Sequence, residues 1–270
     1  MIETDRFEEV TRIKMSREIG GKPLYWVAAY LVDGLLVDTG CAHTASEFVE
    51  HLENEVVTVA VNTHYHEDHI GANRLIMKKL GVDIFAPERS IPLIDGVPKL
   101  YPYQETVWGY PEPTRVKPLG SSISTERFTF DIVETPGHSP DHVALLEKNK
   151  GWCFTGDLFI TERPKVVRPE EDIGAIASSM RKLVAMDTNR LVLFTSMGRI
   201  EEEGRGALNE CAGYFEDIIA EVDSLNSRGM DEESIRDNIF GGESSFASFT
   251  DGQFSSLNIV RSALKTNERT

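Results

Sequence analysis

The sequence reads Thr63-His64-Tyr65-His66-Glu67-Asp68-His69, which places three histidines and two carboxylates within seven residues. The run Val56 to Val61 comes shortly before this stretch, and its β-branched side chains predict a buried strand. Apolar residues with helical spacing follow Gly71. Open α/β sheets place their chemistry where a strand gives way to a helix, so residues 63–69 form a candidate functional loop, named the metal loop below.

The residue types of the metal loop indicate a catalytic metal site. Imidazole and carboxylate groups bind zinc, iron and manganese, whereas a run of thiolates would indicate a structural zinc site. A lone histidine is usually a hydrogen-bonded surface residue, and a histidine-rich tract can be unstructured metal-scavenging sequence. A tract that lies between a valine-rich strand and a helix fits neither description.

The pattern His-x-His-x-Asp-His of the metal loop resembles the signature of the metallo-β-lactamase superfamily of hydrolases. Residues 135–140 are similar to the family's loop with a third histidine, here His138, and residues 154–157 resemble its turn with a bridging aspartate, here Asp157. Residues 35–40 resemble the family's early strand and turn, whose aspartate, here Asp38, supports the metal loop. The resemblance extends over roughly residues 25–198.

This resemblance implies an α/β fold, a four-layer αββα sandwich of two mixed β-sheets, with a catalytic domain over residues 1–200. Beyond it, apolar residues with helical spacing predict helices at 205–225, 232–240 and 255–264. We interpret residues 201–270 as a C-terminal helical extension. It packs on the core, lines the pocket or forms a homodimer contact, and the sequence leaves these three alternatives open.

The resemblance also implies a set of metal ligands. His64, His66 and His138 would hold one metal, Asp68 and His69 would belong to a second, and Asp157 would bridge the two. Zn²⁺ is the expected ion, with iron or manganese as alternatives. Asp68 is also the candidate catalytic residue, which orients the nucleophile and protonates the leaving group. Nearby, His142 is interpreted as a residue that holds another ligand in place, with direct ligation as the alternative.

One ligand of the family pattern is absent. The family's last strand usually ends in a turn with a final histidine, but this chain has Met197 there and no histidine beyond position 142. A thioether suits copper(I) better than zinc or iron(II). The second metal then keeps only Asp68, His69 and the shared Asp157. We therefore expect a weak second site and between one and two metal ions per chain.

Two further stretches are candidates for substrate contact. Residues 96–118, named the aromatic insertion, interleave tyrosines and Trp108 with prolines. They form either a lid with Tyr103 and Trp108 over the metal, or a structural cover of the sheet edge or a dimer contact. The basic residues Lys165 and Arg168 either bind a substrate carboxylate or phosphate, or offset nearby acidic residues.

Composition limits the partners of the chain. Lys and Arg number 28 against 44 Asp and Glu, and the formal net charge is −16. This charge disfavours nucleic acid and anionic membranes, both of which attract basic surfaces. The N-terminus lacks the pattern of a signal peptide, and no uncharged run is long enough to span a membrane. Three scattered cysteines predict reduced thiols, so a cytoplasmic protein is expected.

Together, these features predict a hydrolase that uses a metal-activated water on a small acyl substrate, a thioester or a lactone. Asp157 stands where β-lactamases of the superfamily usually have cysteine, which favours the branch that resembles glyoxalase II and lactonases. One alternative is a phosphodiesterase of small phosphorylated substrates. Another is a catalytically silent member that binds a metal or ligand. An oxygen-reducing di-iron role ranks last, because no flavin domain follows and the sixth ligand is missing.

Overall fold

The computed structural model describes residues 1–267, and these form two compact units. The first unit contains Met1–Glu134, Asp141–Asp157 and Thr188–Glu202. The second contains Thr135–Pro140, Leu158–Asp187 and the described residues from 203 onward. The C-terminal helices are thus grouped with a helix from the middle of the chain, and the domain boundary at residue 200 stays a prediction.

The first unit contains all the strands of two mixed sheets. In chain order, the strands of the described residues are β1 (Ile2–Phe7), β2 (Val10–Met15), β3 (Glu18–Ile19), β4 (Lys22–Pro23), β5 (Val27–Val32), β6 (Leu35–Val37), β7 (Val59–Val61), β8 (Asp83–Ala86), β9 (Lys117–Pro118), β10 (Ser122–Ser124), β11 (Thr129–Glu134), β12 (Val143–Glu147), β13 (Trp152–Gly156), β14 (Val192–Thr195) and β15 (Ile200–Glu201). The first sheet has the order β1-β2-β5-β6-β7-β8-β9 and the second β10-β11-β12-β13-β14-β15, while β3 and β4 form a separate hairpin.

The two sheets pack face to face through aromatic side chains. Tyr30 on β5 lies 5.5 Å from the ring of Phe154 on β13 and 5.4 Å from that of Phe194 on β14. All three are buried, and each contributes roughly 2 kcal/mol by leaving water. The Tyr30 hydroxyl donates to the carbonyl of Thr195 at 2.6 Å, so its burial leaves no unpaired polar group.

The turn between β5 and β6 follows directly from the sequence. Asp33 and Gly34 both have positive φ, 48° and 83°, as a type I′ hairpin turn requires, and Val32 pairs with Leu35 across it. The Asp-Gly pair therefore predicts the hairpin correctly.

The strand before the metal loop is shorter than the sequence predicts. Val56 is 75% exposed, and the strand begins only at Val59, which pairs in parallel with Leu35 of β6. The amides of Thr58 and Val59 both donate to the carbonyl of Gly34, and the chain reaches the sheet there. A β-branched side chain favours a strand but does not supply a partner strand.

Four α-helices belong to the first unit: α1 (Ala45–Leu52), α2 (Asn73–Leu80), α3 (Ile91–Ile94) and α4 (Pro102–Val107). The second unit contains α5 (Ile173–Val184), α6 (Gly204–Ser227), α7 (Glu232–Phe240), α8 (Ser245–Phe249) and α9 (Ser256–Asn267). Within it, α6 packs against α5 and α9, and α9 also contacts α7. No helix of residues 1–267 has the length and apolar character needed to cross a membrane.

The N-terminus of α9 depends on the carboxylate of Glu243. This carboxylate accepts the Ser255 hydroxyl at 2.6 Å and the backbone amide of Ser256 at 2.8 Å. Burial alone would raise the pKa of Glu243, but hydrogen bonds from Ser255 and from backbone amides lower it below its usual value of 4.5. A carboxyl with a lowered pKa stabilises the fold above its unfolded-state pKa, and this contribution is lost as the pH falls through the folded-state pKa.

We expect Glu243→Gln to lower the free energy of unfolding by about 1 kcal/mol at pH 7, as the loss of a helix cap does. The difference from the parent protein should vanish at a pH below both pKa values, because the parent carboxyl is then neutral as well. Urea unfolding at the two pH values measures both quantities. Glu221→Gln on the exposed face of α6 is the matched control and should leave stability unchanged; a difference that persists in acid would show that the charge of Glu243 is not the cause.

Candidate metal centre

The metal loop lies in the first unit and connects β7 to α2. His64, His66, Asp68 and His69 are all buried, with at most 7% of each exposed. Behind the loop, Gly71 packs against the backbone of Cys41, where an added Cβ would lie 2.2 Å from the carbonyl carbon. Only glycine allows this approach. The chain after the metal loop therefore packs closely against residue 41, and the polar side chains of the loop are buried. Buried polar groups need partners.

One ring nitrogen of His64 faces one ring nitrogen of His66. His64 Nε2 lies 3.0 Å from His66 Nδ1. The other nitrogen of His64, Nδ1, lies 3.0 Å from Thr63 Oγ1, and the Thr63 hydroxyl donates to the carboxylate of Asp38 at 2.9 Å. Because this hydroxyl proton goes to Asp38, Thr63 Oγ1 accepts from His64 Nδ1–H, and Nε2 keeps its lone pair for a metal.

A second group is formed by Asp68, His69 and Asp157. One ligand atom of each lies within 4.8 Å of the others. His69 Nε2 is 3.2 Å from Asp157 Oδ1 and 3.9 Å from Asp68 Oδ2, while its Nδ1 is 2.7 Å from Asp38 Oδ2. Asp38 therefore holds His69 with Nε2 directed at the two other carboxylates.

The charges around His69 fit a divalent cation. Burial alone would lower the pKa of His69, but Asp38, Asp157 and Asp68 raise it well above its usual value. Three carboxylates around one imidazole are an excess of negative charge that a bound cation would offset. Ligand atoms of His64 and His66 also lie within 4.8 Å of one from Asp157, so Asp157 is common to both groups. Imidazoles with carboxylates are the donor set of catalytic zinc, iron and manganese sites.

His142 contacts this cluster from the start of β12. It is 1% exposed, and its Nε2 accepts the backbone amide of Asp157 at 3.1 Å. That nitrogen is engaged by the turn that carries Asp157, so the contact supports the interpretation that His142 holds a ligand in place. Direct ligation and support remain distinct predictions for this residue.

His138 belongs to the second unit. It is buried, and its Nδ1 lies 3.5 Å from Glu171 Oε1 just before α5. Its assignment as a metal ligand stays a prediction from the resemblance. Sequence reasoning missed Glu171, because 33 residues separate it from His138 and no local pattern links the two.

Comparison with known proteins identifies the family of the chain. The family model described as the metallo-beta-lactamase superfamily matches residues 27–195. The chain belongs to this superfamily. It is accordingly a metal-dependent hydrolase, as the metal loop and Asp157 predict.

Relatives and solved structures agree with this assignment. The hydroxyacylglutathione hydrolase GloC of Haemophilus influenzae is 28% identical over 155 residues, 52% of this chain and 71% of the relative. An atrochrysone carboxyl ACP thioesterase of Aspergillus fumigatus is 28% identical over 193 residues, 66% of this chain and 54% of the relative. A beta-lactamase domain protein from Burkholderia ambifaria has a TM-score of 0.76 at 17% identity, over 98% of this chain and 88% of that one. The predicted α/β sandwich with C-terminal helices is confirmed.

In this metallo-beta-lactamase superfamily member, Met197 lies on a turn fixed by its backbone. The amide of Ser196 donates to the carbonyl of Gly156 at 3.2 Å, and the carbonyl of Ser196 accepts from Ala28 at 2.6 Å. The turn is thus bonded to the residue before Asp157. Among the described residues, no further His, Cys, Asp or Glu joins Asp68, His69 and Asp157 in their group.

The other substrate candidates are engaged in packing or lie at the surface. Tyr103 and Trp108 are 6% and 4% exposed, with ring centroids 5.9 Å apart. The Arg168 guanidinium lies 5.2 Å from the Phe254 ring and 3.9 Å from Glu170, while Lys165 is exposed. Substrate contact by any of the four stays a prediction.

Glu171 gives a direct test of the His138 assignment. A carboxylate beside Nδ1 fixes the tautomer of a ligating histidine, and its loss costs 10–100-fold in metal affinity in known sites. We expect Glu171→Gln to weaken zinc binding about tenfold. Competition against a chromophoric chelator measures the affinity. Glu170→Gln, at the more exposed neighbouring position, is the control; equal affinities in the two variants would argue against this role.

Proposed function

We propose that this chain hydrolyses a small acyl substrate, a thioester in the first place and a lactone in the second, with zinc as its metal. The observation that carries the proposal is the shared position of Asp157, which contributes to both ligand groups. Two relatives, whose names describe a hydroxyacylglutathione hydrolase and an ACP thioesterase, support an acyl substrate. The acidic composition supports a small molecule over RNA.

In the proposed site, as the family resemblance implies, His64, His66 and His138 would hold one ion, Asp68 and His69 would hold a second, and Asp157 would be shared by the two. Divalent ions at these ligands supply Lewis acidity and lower the pKa of water toward neutrality. Thr63 beside His64 Nδ1 and Asp38 beside His69 Nδ1 would favour the tautomers of His64 and His69 that carry a lone pair on Nε2. These residues do not react; they fix the ligands before substrate arrives.

Asp68 is the proposed proton carrier. Its side chain is 7% exposed, and one of its oxygens lies 3.9 Å from His69 Nε2. Water adds to the acyl carbon, and the bond to sulfur or to the lactone oxygen breaks. The products are a carboxylic acid and a thiol, or a hydroxy acid. Asp68 accepts the proton of the attacking water and returns it to the leaving atom, so no net proton is taken from the site.

Turnover of a substrate panel tests the proposal. Purified enzyme with zinc is assayed against S-acyl glutathione and acyl-carrier thioesters, γ-lactones and bis-nitrophenyl phosphate. We expect thioester hydrolysis that a chelator abolishes and that zinc restores. Activity confined to the phosphodiester would favour a phosphodiesterase. Zinc binding without turnover of any substrate would favour a silent binding protein.

A further inference from the structure

The aromatic insertion is anchored to the first unit at the C-terminal end of α4. His43 Nε2 lies 2.8 Å from the carbonyl oxygen of Glu105, and the His43 amide donates to the carbonyl of Trp108 at 3.0 Å. Arg17 donates to the carbonyl of Thr106. The last carbonyls of a helix lack hydrogen-bond donors within the helix, and here His43 and Arg17 provide those donors. The insertion is therefore a packed element of the first unit, and one end of α4 is fixed independently of the metal loop.

Near the start of α4, Gln104 connects the insertion to the metal loop. Gln104 is 6% exposed and Glu67 is 5% exposed. The Gln104 amide oxygen accepts the backbone amide of Tyr101 at 2.8 Å, and its amide nitrogen donates to Glu67 Oε1 at 2.7 Å. A backbone N–H only donates and a carboxylate only accepts, so one orientation of the Gln104 amide satisfies both partners and the flipped one satisfies neither.

Glu67 stands between two residues that the proposed site uses, His66 and Asp68. A displacement of the Glu67 side chain therefore shifts the backbone that positions His66 and Asp68. A hydrogen bond to a carboxylate in a buried setting is stronger and more directional than one at the surface. The family resemblance leaves the residue between His66 and Asp68 without a role, and this bond gives Glu67 one.

We propose that Gln104 is a positioning residue that couples the aromatic insertion to the metal loop through Glu67. Binding of metal at the loop stabilises the docked insertion, and the docked insertion raises metal affinity by the same factor, because coupling between two equilibria is reciprocal. The inference rests on the proposed metal site. Through this coupling the aromatic insertion helps to retain the metal, whether or not its aromatic rings also contact the substrate.

An exchange of the two side chains tests the coupling. Gln104→Glu places a second carboxyl group against Glu67 while Tyr101 keeps its acceptor. The amide donor is lost, and the pair must either repel as two carboxylates or take up a proton at a cost in free energy. Gln104→Glu combined with Glu67→Gln restores one donor and one acceptor in reversed order. We expect the single variant to bind zinc about tenfold more weakly than the parent and the double variant to recover to within about threefold.

Two measurements on the metal-free 270-residue chain decide the outcome. Competition with a chromophoric chelator gives zinc affinity, and amide hydrogen exchange follows residues 101–109 with and without zinc. In the parent, zinc should slow exchange in this segment; in Gln104→Glu this slowing should be lost. Val97→Glu adds the same charge at an exposed position of the aromatic insertion and should behave as the parent does.

The coupling is overturned if Gln104→Glu binds zinc as the parent does, if the double variant stays as weak as the single one, or if zinc leaves exchange in residues 101–109 unchanged. Failure of the proposed function has a different signature: the parent itself would bind no zinc, or would bind it without hydrolysing any substrate. A structural role for Gln104 alone predicts a loss of stability that the double exchange does not repair.

Discussion

Asp157→Asn is expected to lower kcat/KM at least about a thousandfold, because removing an ion's electrostatic contribution costs several kcal/mol and each 1.36 kcal/mol is a factor of ten. Asp157 contributes to both ligand groups, and its Oδ1 lies 3.2 Å from His69 Nε2. An asparagine keeps the shape of the side chain but offers a neutral oxygen, which binds a divalent ion far more weakly than a carboxylate does. Both metal positions should therefore lose affinity together.

Elemental analysis and steady-state kinetics on the same preparation measure this prediction. A third readout needs no metal: Asp157 is one of the carboxylates that raise the pKa of His69, so this pKa should fall toward its usual value in metal-free Asp157→Asn. NMR titration of the imidazole detects the change. Asp187→Asn, at an exposed position, should leave all three readouts unchanged. Parent-like metal content and turnover in Asp157→Asn would refute a shared ligand.

Sequence patterns correctly predict the features of this protein that depend only on residues close together in the chain, such as a turn or a helix cap. Asp33 and Gly34 adopt positive φ angles, which aspartate and glycine tolerate better than most residues, and the hairpin follows. Asp231 accepts the amide of Ser234 at 2.8 Å and begins α7 where the sequence predicts it. The three histidines of the metal loop lie within seven residues, so their proximity is also a local property.

Contacts between distant residues could not be predicted in the same way. Val56 has the side chain of a strand residue, but the chain meets β6 only from Val59 onward. Glu171 and Gln104 reach His138 and Glu67 across 33 and 37 residues, and no periodicity or motif links the members of either pair. The sequence identifies candidate ligands through their motifs; the residues that orient them are identified by the fold.

Met197→His is expected to tighten the second metal position at least about a hundredfold, because a directly bonded imidazole contributes more than the 10–100-fold of an outer partner. Backbone hydrogen bonds fix the turn beside Gly156, so a substitution at position 197 changes the side chain and leaves the turn in place. Met197 is only half-buried, and an imidazole of similar volume can be accommodated there. The parent should hold between one and two ions after dialysis, and Met197→His should hold two.

Metal analysis after dialysis against a weak chelator measures the change, and Met197→Leu is the matched control because leucine preserves the apolar volume without a donor atom. A thioether contributes little to a site for zinc, so Met197→Leu should retain as much metal as the parent. If the parent already retains two ions, another group completes the second position and Met197→His will add nothing. If Met197→His gains metal but loses turnover, the coordination position that Met197 leaves open is where the substrate binds. The absence of a histidine at position 197 is then required for catalysis.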